Sequence, residues 1–137
     1  MGYDLSNSAG AYERFTVAGW ELALAVAEGY GWQPAGTPPP ATWDEASRGR
    51  WDNDYFRNEG QEVSPADAAS LAAALERAIA SADFIERTQR TWDELTAPVI
   101  VEFPRDVAPM SREDAEGFRK RLAGLAAFAC RGAFVIE

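Results

Sequence analysis

Apolar side chains recur along this chain with two periods, and the switches between them predict its elements. Residues 3–5 read as a short initial strand, followed by a turn-rich stretch at 6–10. Between residues 16 and 28, Trp20, Leu22, Leu24 and Val26 stand among alanines, with Thr16 as N-cap and a stop signal in Gly29-Tyr30-Gly31. Both periods fit that run locally, but alanine's helix propensity and the glycines decide for a central helix buried on most sides.

From 32 to 53, Pro34, Gly36, Pro38, Pro39 and Pro40 forbid regular structure, and Thr42-Trp43-Asp44-Glu45 offers a capping box for a short helix at most. The segment reads as an ordered loop, because flexible linkers lack large aromatics such as Trp32, Trp43 and Trp51. Asp54-Tyr55-Phe56-Arg57 and Gln61-Glu62-Val63 then read as two strands of a hairpin about Asn58-Glu59-Gly60.

Ser64-Pro65-Ala66-Asp67 announces a helix, with an N-cap, proline at the first position and an acid at the third. Its stripe is Ala68, Leu71, Leu75, Ala78, Ile79 and Ala82. Phe84, Ile85, Thr88, Trp92 and Leu95 continue the helical spacing to residue 96, where Pro98 predicts a stop. Residues 99–103 alternate and end at Pro104, which predicts an edge strand. Ser111 with Asp114 caps a last helix along Ala115, Phe118, Leu122, Leu125, Ala126 and Ala129; Gly132 ends it before an apolar strand at 133–136.

Nothing repeats and no composition shift marks a boundary, so the pattern predicts one compact α+β domain over residues 1–137. Three to four helices are expected to pack on a small, mainly antiparallel sheet. A domain of this length buries about 70% of the surface its unfolded chain exposes and needs no staples.

Charge narrows the partners. The 22 acidic and 13 basic residues give a formal net charge of −9, which argues against nucleic acid and acidic membranes and favours a protein partner with a basic surface. No apolar run reaches the roughly 20 residues a membrane helix requires, and no basic-then-apolar leader opens the chain. Met1-Gly2-Tyr3-Asp4-Leu5-Ser6 matches an N-myristoylation pattern loosely, but one acyl chain without a basic cluster anchors only marginally, so the strand reading is preferred. A cytoplasmic location is expected, and self-association is left open.

Histidine is absent and Cys130 is the only cysteine. That removes disulfides, multi-cysteine zinc sites and histidine activation of any serine or thiol. Cys130 continues the apolar flank of Leu122 and Ala126 at a helix C-terminus, a position that disfavours a thiolate, and is read as structural. Gly29-Tyr30-Gly31 follows a helix and lacks a third glycine, so no dinucleotide fingerprint is present and no cofactor is expected. A calcium loop beginning at Asp52 places Phe56 and Arg57 where an oxygen ligand and the required glycine belong, so no metal is expected either. Carboxylate chemistry at Asp52 and Asp54, between Trp51 and Tyr55, is the one enzymatic reading left; on a strand they share a face.

Binding has the stronger claim. Trp, Tyr and Arg dominate binding hot spots, and Trp32, Trp43, Arg48, Arg50, Trp51, Asp52, Asp54, Tyr55 and Arg57 lie in one stretch. The expected role is a non-enzymatic, acidic interaction module of the immunity or antitoxin kind. The alternative is a small-molecule binder, or weak enzyme, with a Trp/Arg-lined cleft around 32–57. The competing use of these tryptophans is core packing.

Three blocks carry a resemblance. They are residues 19–37, with Gly19-Trp20 and Gly29-Tyr30-Gly31-Trp32-Gln33-Pro34-Ala35-Gly36-Thr37; then Tyr55-Phe56-Arg57-Asn58-Glu59-Gly60-Gln61 into Val63, Asp67 and Ala68; and Phe128-Ala129-Cys130-Arg131-Gly132-Ala133-Phe134-Val135-Ile136. In these the chain resembles a family of small bacterial α+β proteins with no established function. The resemblance implies a class and no mechanism. Ala133 stands where members tend to carry a second glycine.

Overall fold

A computed structural model describes residues 2–102 and 108–137. The chain opens with a hairpin of β1 (Gly2–Ser6) and β2 (Tyr12–Thr16), registered with Tyr3 opposite Phe15 and Leu5 opposite Glu13. Its turn is built by Asn7, whose Oδ1 accepts from the backbone N–H groups of Ala9 and Ala11 at 3.0 Å, and by Gly10 at φ 85°. The sequence pattern does not predict β2, because Glu13 and Arg14 break its apolar alternation.

Thr16 leaves β2 and caps α1 (Val17–Gly29), its hydroxyl accepting from Gly19 N at 3.0 Å. Trp20, Leu22, Ala23, Leu24, Val26 and Ala27 are all buried, as expected of a helix covered on several sides. A one-turn helix α2 (Glu45–Arg48) interrupts the loop that follows. Strand β3 (Gln61–Val63) leads into α3 (Pro65–Ala80), capped by Ser64 with Pro65 in its first turn. Then come α4 (Phe84–Glu102), α5 (Arg112–Ala129) with a complete Ser111/Asp114 capping box, and β4 (Phe134–Ile136).

Two expectations fail at α4. The helix does not stop at residue 96, and residues 99–102 are helical, not an edge strand; Phe103 lies outside the described residues. Pro98 sits inside the helix, where an interior proline costs about 3 kcal/mol. Tertiary contacts fix the helix on the body of the protein up to that proline. Thr88 and Thr96 are buried, Gln89 Nε2 donates to the Met110 carbonyl at 3.1 Å, and Trp92 Nε1 donates to the Ala108 carbonyl at 3.1 Å.

The four strands form one antiparallel sheet in the order β2-β1-β4-β3, with Leu5 opposite Ile136 and Val63 opposite Phe134. Period-two alternation turns Leu5, Phe15, Val63, Phe134 and Ile136 into the core, while Asp4, Ser6, Arg14, Glu62 and Val135 face outward with varying exposure. The helices α1, α3, α4 and α5 pack on one another and supply the rest of the core. This is the single α+β domain the pattern predicts.

The edge strand β2 is protected by α5. Arg121 lies 4.3 Å over the Phe15 ring, pairs with Glu13 at 3.2 Å, and donates to the Arg14 carbonyl. An open strand edge is a template for pairing with another chain, and a cation laid across it blocks that template.

Candidate functional site

A loop of some thirty residues inside a small domain must satisfy its backbone polar groups without a sheet ladder. Here side chains from the scaffold do so. Asp67, in the first turn of α3 and 5% exposed, accepts from Ala35 N at 3.0 Å and Gly36 N at 3.3 Å. It also accepts from the Tyr55 hydroxyl, which in turn accepts from Gly36 N at 3.1 Å. Burial, followed by the hydrogen bond to Asp67 and that carboxylate's charge, pushes the Tyr55 hydroxyl far above the usual tyrosine range.

The expected hairpin strand at 54–57 does not form; β3 pairs with β4 instead. Its carbonyls are taken by side chains. Asp54 O accepts from Thr37 Oγ1 at 2.6 Å, Tyr55 O from Trp20 Nε1 at 2.7 Å, Phe56 O from the Tyr3 hydroxyl at 2.6 Å, and Arg57 O from Gln61 Nε2. Buried Gln61 and Thr37 therefore stand in for a partner strand.

Most of the predicted site residues make contacts within the protein. Trp32 and Tyr55 are core, their rings edge to face at 5.2 Å, with Trp32 Nε1 donating to the Asp67 carbonyl at 3.2 Å. Trp51 is 9% exposed and donates to the Thr37 carbonyl at 2.7 Å. Arg48 caps the Pro40 carbonyl at 3.2 Å. The Asp52 and Asp54 carboxylates serve separate ends: Asp54 Oδ1 accepts from Phe56 N at 2.7 Å, while exposed Asp52 meets Arg57 Nε at 3.4 Å. Without a strand they share no sheet face, so the geometry invoked for a carboxylate pair is absent.

What remains is one surface. Trp43 stands half-buried, edge to face with Trp51 at 4.9 Å, and the Arg57 guanidinium lies against both indoles at 5.8 and 5.7 Å. Trp43 and Arg57, with Arg50, Thr42, Asp44 and Ser47, line a groove of about 470 Å³, and Trp51 lies buried beside it. Asp44, not Thr42, is the N-cap of α2: its Oδ1 accepts from Ser47 N at 2.7 Å, and that bond holds its carboxyl below the usual range. Arg50 Nη2 reaches Ser47 Oγ at 3.4 Å.

Trp43 differs from every other tryptophan. Trp20, Trp32, Trp51 and Trp92 each donate their indole N–H to a backbone carbonyl, whereas Trp43 Nε1 has no partner among the described residues.

Sequence reasoning brought Trp43, Arg50 and Arg57 together but missed Asp67 as the clamp of the loop, and Thr42, Asp44 and Ser47 as groove walls. Asp67 is recognisable as a third-position acid of a capped helix; its reach to residue 35 is set by tertiary structure alone. Cys130 is exposed, not buried on the flank of α5, with Sγ 3.1 Å from the Ala127 carbonyl. Among the described residues no helix is long and apolar enough to cross a membrane, and no three His, Cys, Asp or Glu side chains gather as a metal site.

Comparison with protein-family models, curated proteins and solved structures gives no match to this chain.

Proposed function

We propose that the chain is a non-enzymatic interaction module, acting in the cytoplasm, whose protein partner docks over the Trp43 groove. What supports this reading is Trp43 itself. A half-exposed tryptophan held by a buried neighbour, with an indole N–H unpartnered among the described residues and an arginine beside it, has the character of a binding hot spot. The two carboxylates considered for catalysis hold the loop and Arg57 instead.

The formal charge of −9 makes a partner with a basic surface the favoured one, since charge complementarity raises association rates. Neutralising a basic toxin, as an immunity protein or antitoxin does, is the concrete form of this role. Tagged chain isolated from its native host should carry a stoichiometric basic protein that Trp43→Ala loses and the wild type retains. Recovery of no such partner, or equal recovery by the variant, would overturn the reading.

A second reading, a small molecule held in the same groove, is favoured by its volume, which lies within the roughly 300–1,000 Å³ of ligand sites. Quenching of tryptophan emission by a metabolite, abolished in Trp43→Phe, would decide for it. Trp20, Trp32 and Trp51 are buried and should not respond.

A further inference from the structure

Among the described residues, the guanidinium and indole groups of the groove keep N–H donors without a partner. Arg57 meets Asp52 through Nε, which leaves the two Nη groups of its fork. The Arg50 guanidinium touches only a hydroxyl oxygen, at 3.4 Å, and Trp43 Nε1 has no acceptor among the described residues. The hydroxyls of Thr42 and Ser47 complete the wall. One carboxylate, Asp44, also lines the groove, with its Oδ1 turned to the α2 cap. A site with a surplus of N–H donors and a planar guanidinium held in place by two indoles is matched by an acceptor of planar, bidentate geometry.

We infer that the groove takes a carboxylate from the partner protein, an Asp or Glu side chain seated between Arg50 and Arg57 against the Trp43 ring. This rests on the groove being the docking surface. It gives the partner a charge mosaic: basic where it faces this chain's acidic surface, acidic at one point. A lone carboxylate in a basic field fixes register, because sliding the partner places like charges together. Preorganisation favours the contact, since Arg57 already lies against Trp43 and Trp51 and meets Asp52 before anything binds.

The test titrates isotope-labelled chain with acetyl-Gly-Glu-Glu-Gly-amide and follows the tryptophan indole and arginine Nε–H signals. The matching Gln and Lys peptides and free succinate serve as controls. The Glu peptide should shift the Trp43 and Arg57 signals saturably, and the Gln and Lys peptides should not. Arg57→Gln and Arg50→Gln should each weaken the binding about tenfold or more, the usual loss when a hydrogen bond to a charged group is removed. Arg50 is exposed and its side chain hydrogen-bonds only to Ser47 among the described residues, so its variant keeps the test valid if Arg57→Gln disturbs the loop.

A Lys peptide that saturates the Trp43 signal would overturn the carboxylate while leaving the groove as the docking surface. Succinate binding as tightly as the Glu peptide would overturn a protein as the source. Silence of Trp43 and Arg57 toward the Glu peptide would overturn the inference. Failure of the docking reading itself has a separate signature, a captured partner indifferent to Trp43→Ala.

Discussion

Replacing Tyr55 by phenylalanine removes one oxygen from the centre of the loop clamp and leaves the ring's packing on Trp32 intact. The hydroxyl donates to Asp67, a charged acceptor, and accepts from Gly36 N at 3.1 Å. A hydrogen bond to a charged group is worth about 1.5–3 kcal/mol net. Asp67 keeps its bonds from Ala35 and Gly36, so it is not orphaned. The expected cost of Tyr55→Phe at pH 7 is therefore about 2 kcal/mol. Urea unfolding followed by tryptophan emission reads this as a midpoint about 1 M lower, for a slope of about 2 kcal/mol/M.

The pH dependence is the sharper check. Folding raises the pKa of Tyr55 above the value of about 10 it has in the unfolded chain, so its contribution is complete below pH 10 and is lost as pH rises beyond it. The wild type should lose about 1.4 kcal/mol per pH unit in that window from this proton alone, and the variant should not. Burial raises Tyr3 and Tyr30 and a bond to Asp4 raises Tyr12, but both proteins share these, so they cancel in the difference. The gap between the two proteins should shrink from about 2 kcal/mol at pH 7 to under about 1 kcal/mol at pH 11. A cost below about 0.5 kcal/mol at pH 7, or a gap unchanged at pH 11, would refute the clamp.

Three further outcomes are expected. Gly36→Ala should destabilise by about 2 kcal/mol or more and broaden the Trp51 and Tyr55 signals, because φ is 110° there and a Cβ would stand 2.8 Å from Asn53 Cβ; a thermal scan matching the wild type would contradict this. Arg121→Ala should cost under about 1 kcal/mol in stability yet raise self-association in sedimentation velocity, since it uncovers the β2 edge; unchanged sedimentation would show that Arg121 is not the guard. Cys130, being exposed, should react fully with a thiol reagent in native buffer; protection until denaturant is added would overturn its placement.

Features written in consecutive residues were legible. Thr16, Ser64 with Pro65 and Asp67, and Ser111 with Asp114 each cap the helix they announce, because a cap closes over three residues and needs nothing distant. The last strand and the helical stripes of α3 and α5 follow for the same reason, although Ala82 falls beyond α3 and is exposed. What failed depends on distant contacts. Strand β2 exists because β1 pairs with it and Arg121 covers Phe15. Helix α4 runs through Pro98, and the contacts that hold it, from residues 89 and 92 to the chain at 108–110, are distant in sequence. Residues 54–57 have a strand's composition, but their carbonyls accept from the side chains of Tyr3, Trp20, Thr37 and Gln61 and not from a neighbouring strand.

The candidate site was half legible for a reason that follows from the same hydrogen bonds. Sequence placed nine residues in one stretch without separating those facing inward from those facing out, since a proline-rich loop has no period from which to read a face. The structure separates them by hydrogen-bond partner. A buried indole or phenol requires an acceptor, so Trp32, Trp51 and Tyr55 are bound to loop or helix atoms and lost as contact groups. Each bond that removes a residue from the surface also stiffens the loop beneath Trp43 and Arg57, so the core residues determine how well ordered the groove is before a partner arrives. A site of this construction should gain affinity through preorganisation more than through area. Loosening it from below, at Gly36, should therefore weaken binding at the groove without altering any residue that touches the ligand.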